Sequence, residues 1–516
     1  MLRILLLTTL SIFTIGPAAL AQKVATKAIE VPSDGFKFRP LAGYESIPLS
    51  GSKTRLLRMT SDEGTINAVA FADGKIKEAK EGRSASKEPR RSILNYLETY
   101  RGFTEEHAKT PTIDENVEIG DFNATHRRFE GIPSRGSAYT IDVWSFRLAH
   151  ADVHLIYTAS GEPSRRWGTT VARSAKSFKL IERVEPLTVD SSTRTFKDQM
   201  AWAKQEAAKV EGWYAIGTPS ERFVILTNAE KRAFVQEVIK RLEVSRDVFE
   251  RDFPPPPEFR AVSIIRICRD AQEFRRFSGA RAGVAGYFSP STVELVLYDN
   301  VNVDRNSTYA VVTHEAFHQY CHFLFGQSEA HRWFDEGHGD YYGGMKIKGS
   351  RGNITPKMPS GLNRLSIARE MVRNETYKPI QEHINYTHRE WQTQGPSGVS
   401  PYAQSWSIIY MLRQGALRKV SAKCWEKEYA EIIPNYVRVL NEGFQAAYEE
   451  IRQKRIAIAE EDEVELSPKD LEVTRRDLDE PKKQEIWKAA MEASWGKVDL
   501  EEFQENWALY VKKHLK

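Results

Sequence analysis

Two histidines four residues apart with a glutamate after the first, His314-Glu315-Ala316-Phe317-His318, restrict this chain more than any other stretch of its 516 residues. On a helix, residues four apart share a face about one turn from each other. Both imidazoles then reach one point while Glu315 is directed to its open side. With 12 histidines in the chain, roughly 0.02 such patterns are expected by accident. The flanks suit a helix. Ser307 can cap its start, Tyr309 to Val312 run apolar, and Gly326 offers a stop, which predicts a helix of about five turns.

The stretch Trp333-Phe334-Asp335-Glu336-Gly337-His338-Gly339-Asp340-Tyr341-Tyr342 predicts a second helix, one that supplies a carboxylate, Glu336, eighteen residues after His318. Two histidines and a glutamate with one position open are a donor set for hydrolytic zinc, so Zn2+ is expected on His314, His318 and Glu336, with Glu315 as general base. Asp340 follows Glu336 by one turn on the same face, where it can accept the free ring N–H of a ligand histidine. Alternative third ligands fit less well. His322 lies about 12 Å along the helix axis from His314, too far for one ion to bind both. At helical spacing Asp335 and His338 point away from the face of Glu336, and His331 precedes the helix. Cys321 reads as core.

His314 to Gln319 and Trp333 to Gly337, read as HExxHQ followed by W-[FL]-x-E-G, resemble the gluzincin zinc metallopeptidases, and most closely the secreted bacterial peptidase MA-like families. The resemblance covers about Ser220 to Gln414. It implies a zincin-like domain, meaning a mixed sheet with the HExxH helix and a helical lower half, that acts on a peptide or protein substrate. It also implies roles for other residues. The segment Tyr287-Phe288-Ser289-Pro290 precedes the last strand, which by position resembles the edge strand above a gluzincin cleft, and this makes Tyr287 and Phe288 substrate-binding candidates. Tyr402 matches by position a tyrosine that related peptidases place at the oxyanion, with His383 and His388 as weaker candidates. Gly337 and Gly339 depart from a good helix, at about 1 kcal/mol each.

The remaining text sets the frame. Met1 to Ala21 reads as an export signal, with Arg3 ahead of an apolar run and Ala19-Leu20-Ala21 as a cleavage site, so an exported protein with no membrane span after cleavage is expected. Lys plus Arg number 74 against 70 for Asp plus Glu, a near balance that gives no reason to expect a nucleic-acid partner. Three cysteines exclude a disulfide framework.

From about residue 30 to 184 the text is β-rich, with strands at Thr65 to Phe71, Tyr139 to Arg147 and Val153 to Thr158, and a helix over Pro163 to Ser174. This part faintly resembles small α+β domains of the PsbP/Mog1 type. Its histidines are scattered and carry no constellation. A helix from Thr195 to Val210 leads to a second domain at 197–415. There Arg222 to Thr227, Ala261 to Ile267 and Val293 to Leu297 read as strands and Ala229 to Glu250 as an amphipathic helix. Ser400-Pro401 starts a helix carrying Tyr402. Residues 416–516 read as a helical C-terminal region whose last helix bears an apolar stripe of Phe503, Trp507, Tyr510 and Leu515. The expected class is therefore α+β: an N-terminal α+β domain, a zincin-like metallopeptidase domain and a helical C-terminal region. The competing function is a non-catalytic cell-envelope binding protein on the same scaffold.

Overall fold

The computed structural model describes residues 23–47, 54–72, 76–77, 86–87, 90–120, 122–134, 138–161, 163–183, 195–255, 261–278, 284–290, 292–300, 305–326, 328–356, 363–393, 401–461, 466, 471, 473 and 477–515. The expected export signal and Ser400 lie outside them. The chain divides into two compact units, Met1–Leu187 with Lys209–Glu211 and Thr188–Ala208 with Gly212–Lys516. Among the described residues no helix is long and apolar enough to cross a membrane.

The first unit is built on a seven-stranded antiparallel sheet. Its strands are β1 (Glu45–Ile47), β2 (Arg55–Ser61), β3 (Gly64–Ala72), β4 (Ile113–Ile119), β5 (Phe122–Ile132), β6 (Tyr139–Arg147) and β7 (Ala151–Ser160), in the order β1-β2-β3-β7-β6-β5-β4. Alternation along β3 sends Ile66, Ala68 and Ala70 to one core and Val69 and Phe71 to another, so both faces of the sheet are covered. Helix α1 (Trp167–Ala175) covers the first face, starting four residues later than expected because Pro163 to Arg166 form a turn. The β4–β5 hairpin carries no strand signal clear enough to read in advance, since β4 is mostly exposed and polar. His126 is a satisfied core histidine. It stacks on Trp144 and bonds the buried Asp142, which also accepts from Arg128 and Trp167.

The second unit is mixed, with a five-stranded sheet followed by helices. Helix α2 (Phe196–Ala208) precedes β8 (Tyr214–Gly217), β9 (Phe223–Thr227), α3 (Arg232–Asp252), β10 (Ser263–Cys268), α4 (Ala271–Ser278), β11 (Gly286–Ser289) and β12 (Glu294–Tyr298). The order β8-β9-β10-β12-β11 is parallel in the middle and antiparallel at both edges. The edge is thus Gly286–Ser289 and not the strand after it. β12 is internal, and its Glu294 is buried in a two-pronged ion pair with Arg266 of β10, at 2.7 and 3.0 Å.

Two helices then cross. Helix α5 (Arg305–Leu324) starts earlier than a Ser307 cap would allow, and ends before Gly326, which adopts φ 59°. Helix α6 (Arg332–Gly343) is buried along most of its length. After a hairpin and α7 (Arg364–Arg373) come α8 (Pro401–Ala416), α9 (Ile432–Glu461), α10 (Glu480–Trp495) and α11 (Leu500–Lys513). The α11 stripe is buried, and Trp507 donates to Ser407 of α8 at 3.0 Å. These C-terminal helices share one continuous apolar core with α3, α5 and α6, so the helical region is part of the second unit.

Gly337 accounts for one of the two glycines in α6. A Cβ there would stand 3.1 Å from the Ser405 carbonyl oxygen and 2.7 Å from Ile409 Cγ1, both on α8. The helices therefore pack backbone to backbone. Gly337→Ala should gain about 1 kcal/mol of helix propensity but lose about 1–3 kcal/mol to overpacking, a net fall in thermal midpoint. A scanning-calorimetry midpoint equal to or above that of the unsubstituted chain would mean α8 simply moves away.

Candidate metal centre

The crossing of α5 and α6 brings His314, His318 and Glu336 to one point at the floor of a cleft of about 550 Å³. His314 Nε2 and His318 Nε2 lie 2.9 Å apart, and Glu336 Oε2 is 3.2 Å from the first and 3.5 Å from the second. Four donors arranged tetrahedrally at ~2.1 Å from one ion stand about 3.4 Å apart, so the three spacings suit a zinc-sized centre.

Each imidazole is also held from behind. His314 Nδ1 donates to Asp340 Oδ1 at 3.1 Å, and His318 Nδ1 donates to Asp335 Oδ1 at 2.8 Å. A carboxylate can only accept, which fixes the ring protons on Nδ1 and turns both Nε2 lone pairs inward, toward each other and toward a carboxylate oxygen. Three acceptors facing one another repel unless a cation or extra protons lie between them. The charges around the rings say the same. Among the described residues Asp335, Glu336 and Asp340 pair with Arg332 and Arg364, which leaves more carboxylates than arginines around the rings. The donor set fits zinc.

Absent such an ion, protons take its place. Burial would lower the His314 imidazole, but Asp340 and Glu336 outweigh it and push it up to about 9. Burial likewise opposes, and Asp335 and Glu336 overcome, a rise of His318 well above its ordinary value. Burial favours the neutral form of Glu336, yet the two imidazoles hold its carboxyl well below the usual range.

Asp335, expected to point away from the face of Glu336, nevertheless reaches the centre through His318. It lies off the face of Glu336, and its Oδ1 accepts from the His318 ring of α5. It also bonds the Cys321 thiol, whose pKa burial and that carboxylate raise. None of His331, His338 and His322 joins the centre. His331 accepts from the Tyr436 hydroxyl, and His338 is a core residue that bonds the Phe334 carbonyl and Arg413. His322 packs its ring against Phe288 at 5.3 Å and lines the cleft.

Gly339 explains the second helix glycine. A Cβ there would stand 2.9 to 3.0 Å from three atoms of the His314 ring, so the imidazole lies directly on the α6 backbone. Close approach, not conformation, requires the glycine.

Glu315 competes with Glu336 for the third position, since its carboxylate and the two histidines form a group whose donor atoms lie within 4.8 Å of one another. Glu315 Oε2 is however occupied by the Phe288 backbone N–H at 2.8 Å, while Glu336 Oε2 is at hydrogen-bond distance from both rings. Glu336 is therefore the better ligand, and Glu315 the residue beside it. Burial raises the Glu315 carboxyl, an effect the two imidazoles only partly offset.

Phe288 lines the cleft on the edge strand β11, but Tyr287 does not. Alternation along the strand turns the Tyr287 ring to the other face, against Phe274 at 5.9 Å and away from the cleft lining. Tyr402 lines the cleft at the start of α8, between Trp391 and Arg364, whose guanidinium lies 5.0 Å from the Tyr402 ring. Burial and the Glu336 charge push its hydroxyl up to about 12, so it stays a donor. His383 is buried on Ser405 and does not line the cleft, and the His388 side chain lies outside the described residues. Arg364, which grips Asp340 at 2.6 Å, carries no sequence signal; only the fold brings it here.

No known family model matches the sequence, and no curated protein matches it. Two solved structures are loosely similar. One, from Bacteroides thetaiotaomicron, is 10% identical over 64% of this chain and 85% of its own, with a TM-score of 0.21. The other, the PsbP protein CyanoP of Synechocystis, is 9% identical over 33% of this chain and 98% of its own, with a TM-score of 0.22. Superpositions this loose bear on neither fold nor chemistry.

Three expectations follow from the centre. Asp335→Asn should lower zinc affinity by about 10–100-fold, the usual scale for removing a partner of a ligand histidine, and Gly339→Ala, whose Cβ would displace the His314 ring, should lower it as well. Competition with a chelator checks both, and unchanged affinity in either would contradict the geometry. Protons and metal compete for the same rings, so zinc affinity should rise with pH through the range in which His314, pushed up to about 9, and His318, raised well above its ordinary value, lose their extra protons.

Proposed function

We propose that the second unit is a zincin-like, gluzincin-type metallopeptidase domain that hydrolyses peptide bonds of a peptide or protein substrate, in an exported protein. The observation that carries this reading is the placing of Glu315 beside a ligand pair but held off it. One carboxylate oxygen is fixed by the Phe288 N–H, and Oε1 accepts no hydrogen bond among the described residues. A purely structural metal site has no use for such a group.

His314, His318 and Glu336 would hold the zinc. Bound there with a position open, it supplies Lewis acidity to a water and to a carbonyl. The chain's own residues do the rest. Glu315, buried and raised in pKa, accepts a proton from the attacking water at Oε1 and returns it to the leaving nitrogen as the C–N bond breaks. Asp340 and Asp335 keep both ring protons on Nδ1, so the imidazoles stay neutral donors of lone pairs. Tyr402, protonated at working pH and on the cleft wall, is placed to donate to the oxygen that gains charge. β11 offers the substrate a strand edge, with the Phe288 side chain in the cleft.

Glu315→Gln keeps size and leaves the ligands in place. It should retain zinc and thermal stability while lowering peptide cleavage by at least ~100-fold, the scale of general acid–base catalysis. Zinc-loaded protein that cuts nothing across a broad peptide and protein panel would favour a non-catalytic scaffold instead.

A further inference from the structure

The segment between α5 and α6 is short, lines the cleft, and is held in place by helices distant in sequence. Ser328 shares a hydrogen bond of 2.6 Å with the Tyr448 hydroxyl of α9. The Glu329 carbonyl accepts from the Trp487 indole N–H of α10 at 3.0 Å. His331 donates its backbone N–H to the Tyr436 hydroxyl of α9 at 2.7 Å, and Tyr436 donates in turn to the His331 ring at 2.8 Å. Three of four consecutive positions are thus anchored by aromatic side chains. Tyr448 further closes on Gly326, where a Cβ would meet its ring at 2.6 Å. A connecting loop that only had to join two helices would need none of this, because its polar groups could face water.

Ser328, Glu329 and Ala330 all line the cleft. So do Cys321 and His322, three and four residues past His318 and therefore about one turn, ~5 Å, beyond the metal ligand. Phe288 and Pro290 come to the same cleft from the strand edge. Phe288, Pro290, Cys321 and Ala330 are apolar, and the Ser328 hydroxyl is already engaged. A side chain entering here meets carbon and sulfur on several sides, with His322 and Glu329 as the polar neighbours.

We propose that Ser328–Ala330 is the specificity wall of this cleft, recognising an apolar substrate side chain one turn beyond His318, with Tyr448, Tyr436 and Trp487 as its positioning residues. This rests on the peptide-hydrolysis reading and adds what that reading does not contain: the C-terminal helices set substrate preference while staying clear of the metal. The wall and the chemistry are separable, since the bonds these three aromatic residues make to the segment go to Ser328, Glu329 and His331 and not to a ligand or Glu315.

The test uses the full-length zinc-loaded chain and a peptide library varied one position at a time. The unsubstituted protein should prefer a large apolar residue at one position. Ala330→Phe, which fills the subsite, should lower kcat/KM for peptides with Leu or Phe there on the order of 10- to 200-fold, leave peptides with Gly there nearly unaffected, and keep its zinc. Ala330→Val should shift the same preference less, and stands in should the larger residue prevent folding. Tyr448→Phe should raise KM for the Leu peptide with kcat for the Gly peptide unchanged. Cleavage by the unsubstituted protein with identical preferences in folded, zinc-loaded Ala330 variants would overturn the wall and leave the hydrolase reading standing. No cleavage by the unsubstituted protein would sink both.

Discussion

Two imidazole nitrogens 2.9 Å apart, both with lone pairs facing inward and a carboxylate oxygen within 3.5 Å, make an arrangement that a protein interior does not tolerate without positive charge in its middle. The rest of the second unit can be understood as what is needed to hold it. The parallel core of the sheet gives α3 and α5 a flat apolar surface, so α5 is fixed by burial along its back. Its front is left to carry His314, Glu315 and His318 toward the cleft. Gln319, the next residue, turns back into the sheet and donates to the Ile264 and Val293 carbonyls. That pins the register of the motif helix against the strands.

The second helix is the more constrained of the two. α6 must approach α5 closely enough for Glu336 to reach both rings, and it must also pass α8. Gly339 allows the first and Gly337 the second, one meeting the His314 ring and the other the Ser405 backbone. A helix with two glycines is poor by propensity, at about 1 kcal/mol each, and is stable here because it is buried on nearly all sides. Arg364 and Arg332 then offset part of the acidic charge that this closeness concentrates. The remaining deficit is one that a bound cation would fill.

Much of this is legible in the sequence because it depends on spacing within single helices. The pairing of His314 with His318, the arrival of Glu336 on a second helix and the bond from Asp340 to His314 all follow from a period of 3.6 residues. What does not show depends on how elements meet. Its position on the α6 wheel turns Asp335 away from Glu336, yet its partner is on α5, and no wheel records a crossing angle. Tyr287 and Phe288 look alike in sequence, but strand alternation sends one to the cleft and the other to Phe274. The edge falls one strand earlier than expected because the antiparallel return of Gly286–Ser289 is four residues long and begins with a glycine, too little text to read as a strand. Arg364 and the aromatic anchors Tyr436, Tyr448 and Trp487 come from positions whose local text is ordinary.

The central claim is that one zinc ion is held by His314, His318 and Glu336, with Glu315 next to it and not bound. An anomalous difference map from crystals of the purified protein, measured on either side of the zinc absorption edge, tests it directly. The account predicts a single peak ~2.0–2.2 Å from the two Nε2 atoms and from Glu336 Oε2, with Glu315 still on the Phe288 N–H. A peak bound by Glu315 in place of Glu336, or no zinc peak at the crossing of the two helices in protein that has been offered zinc, would contradict it.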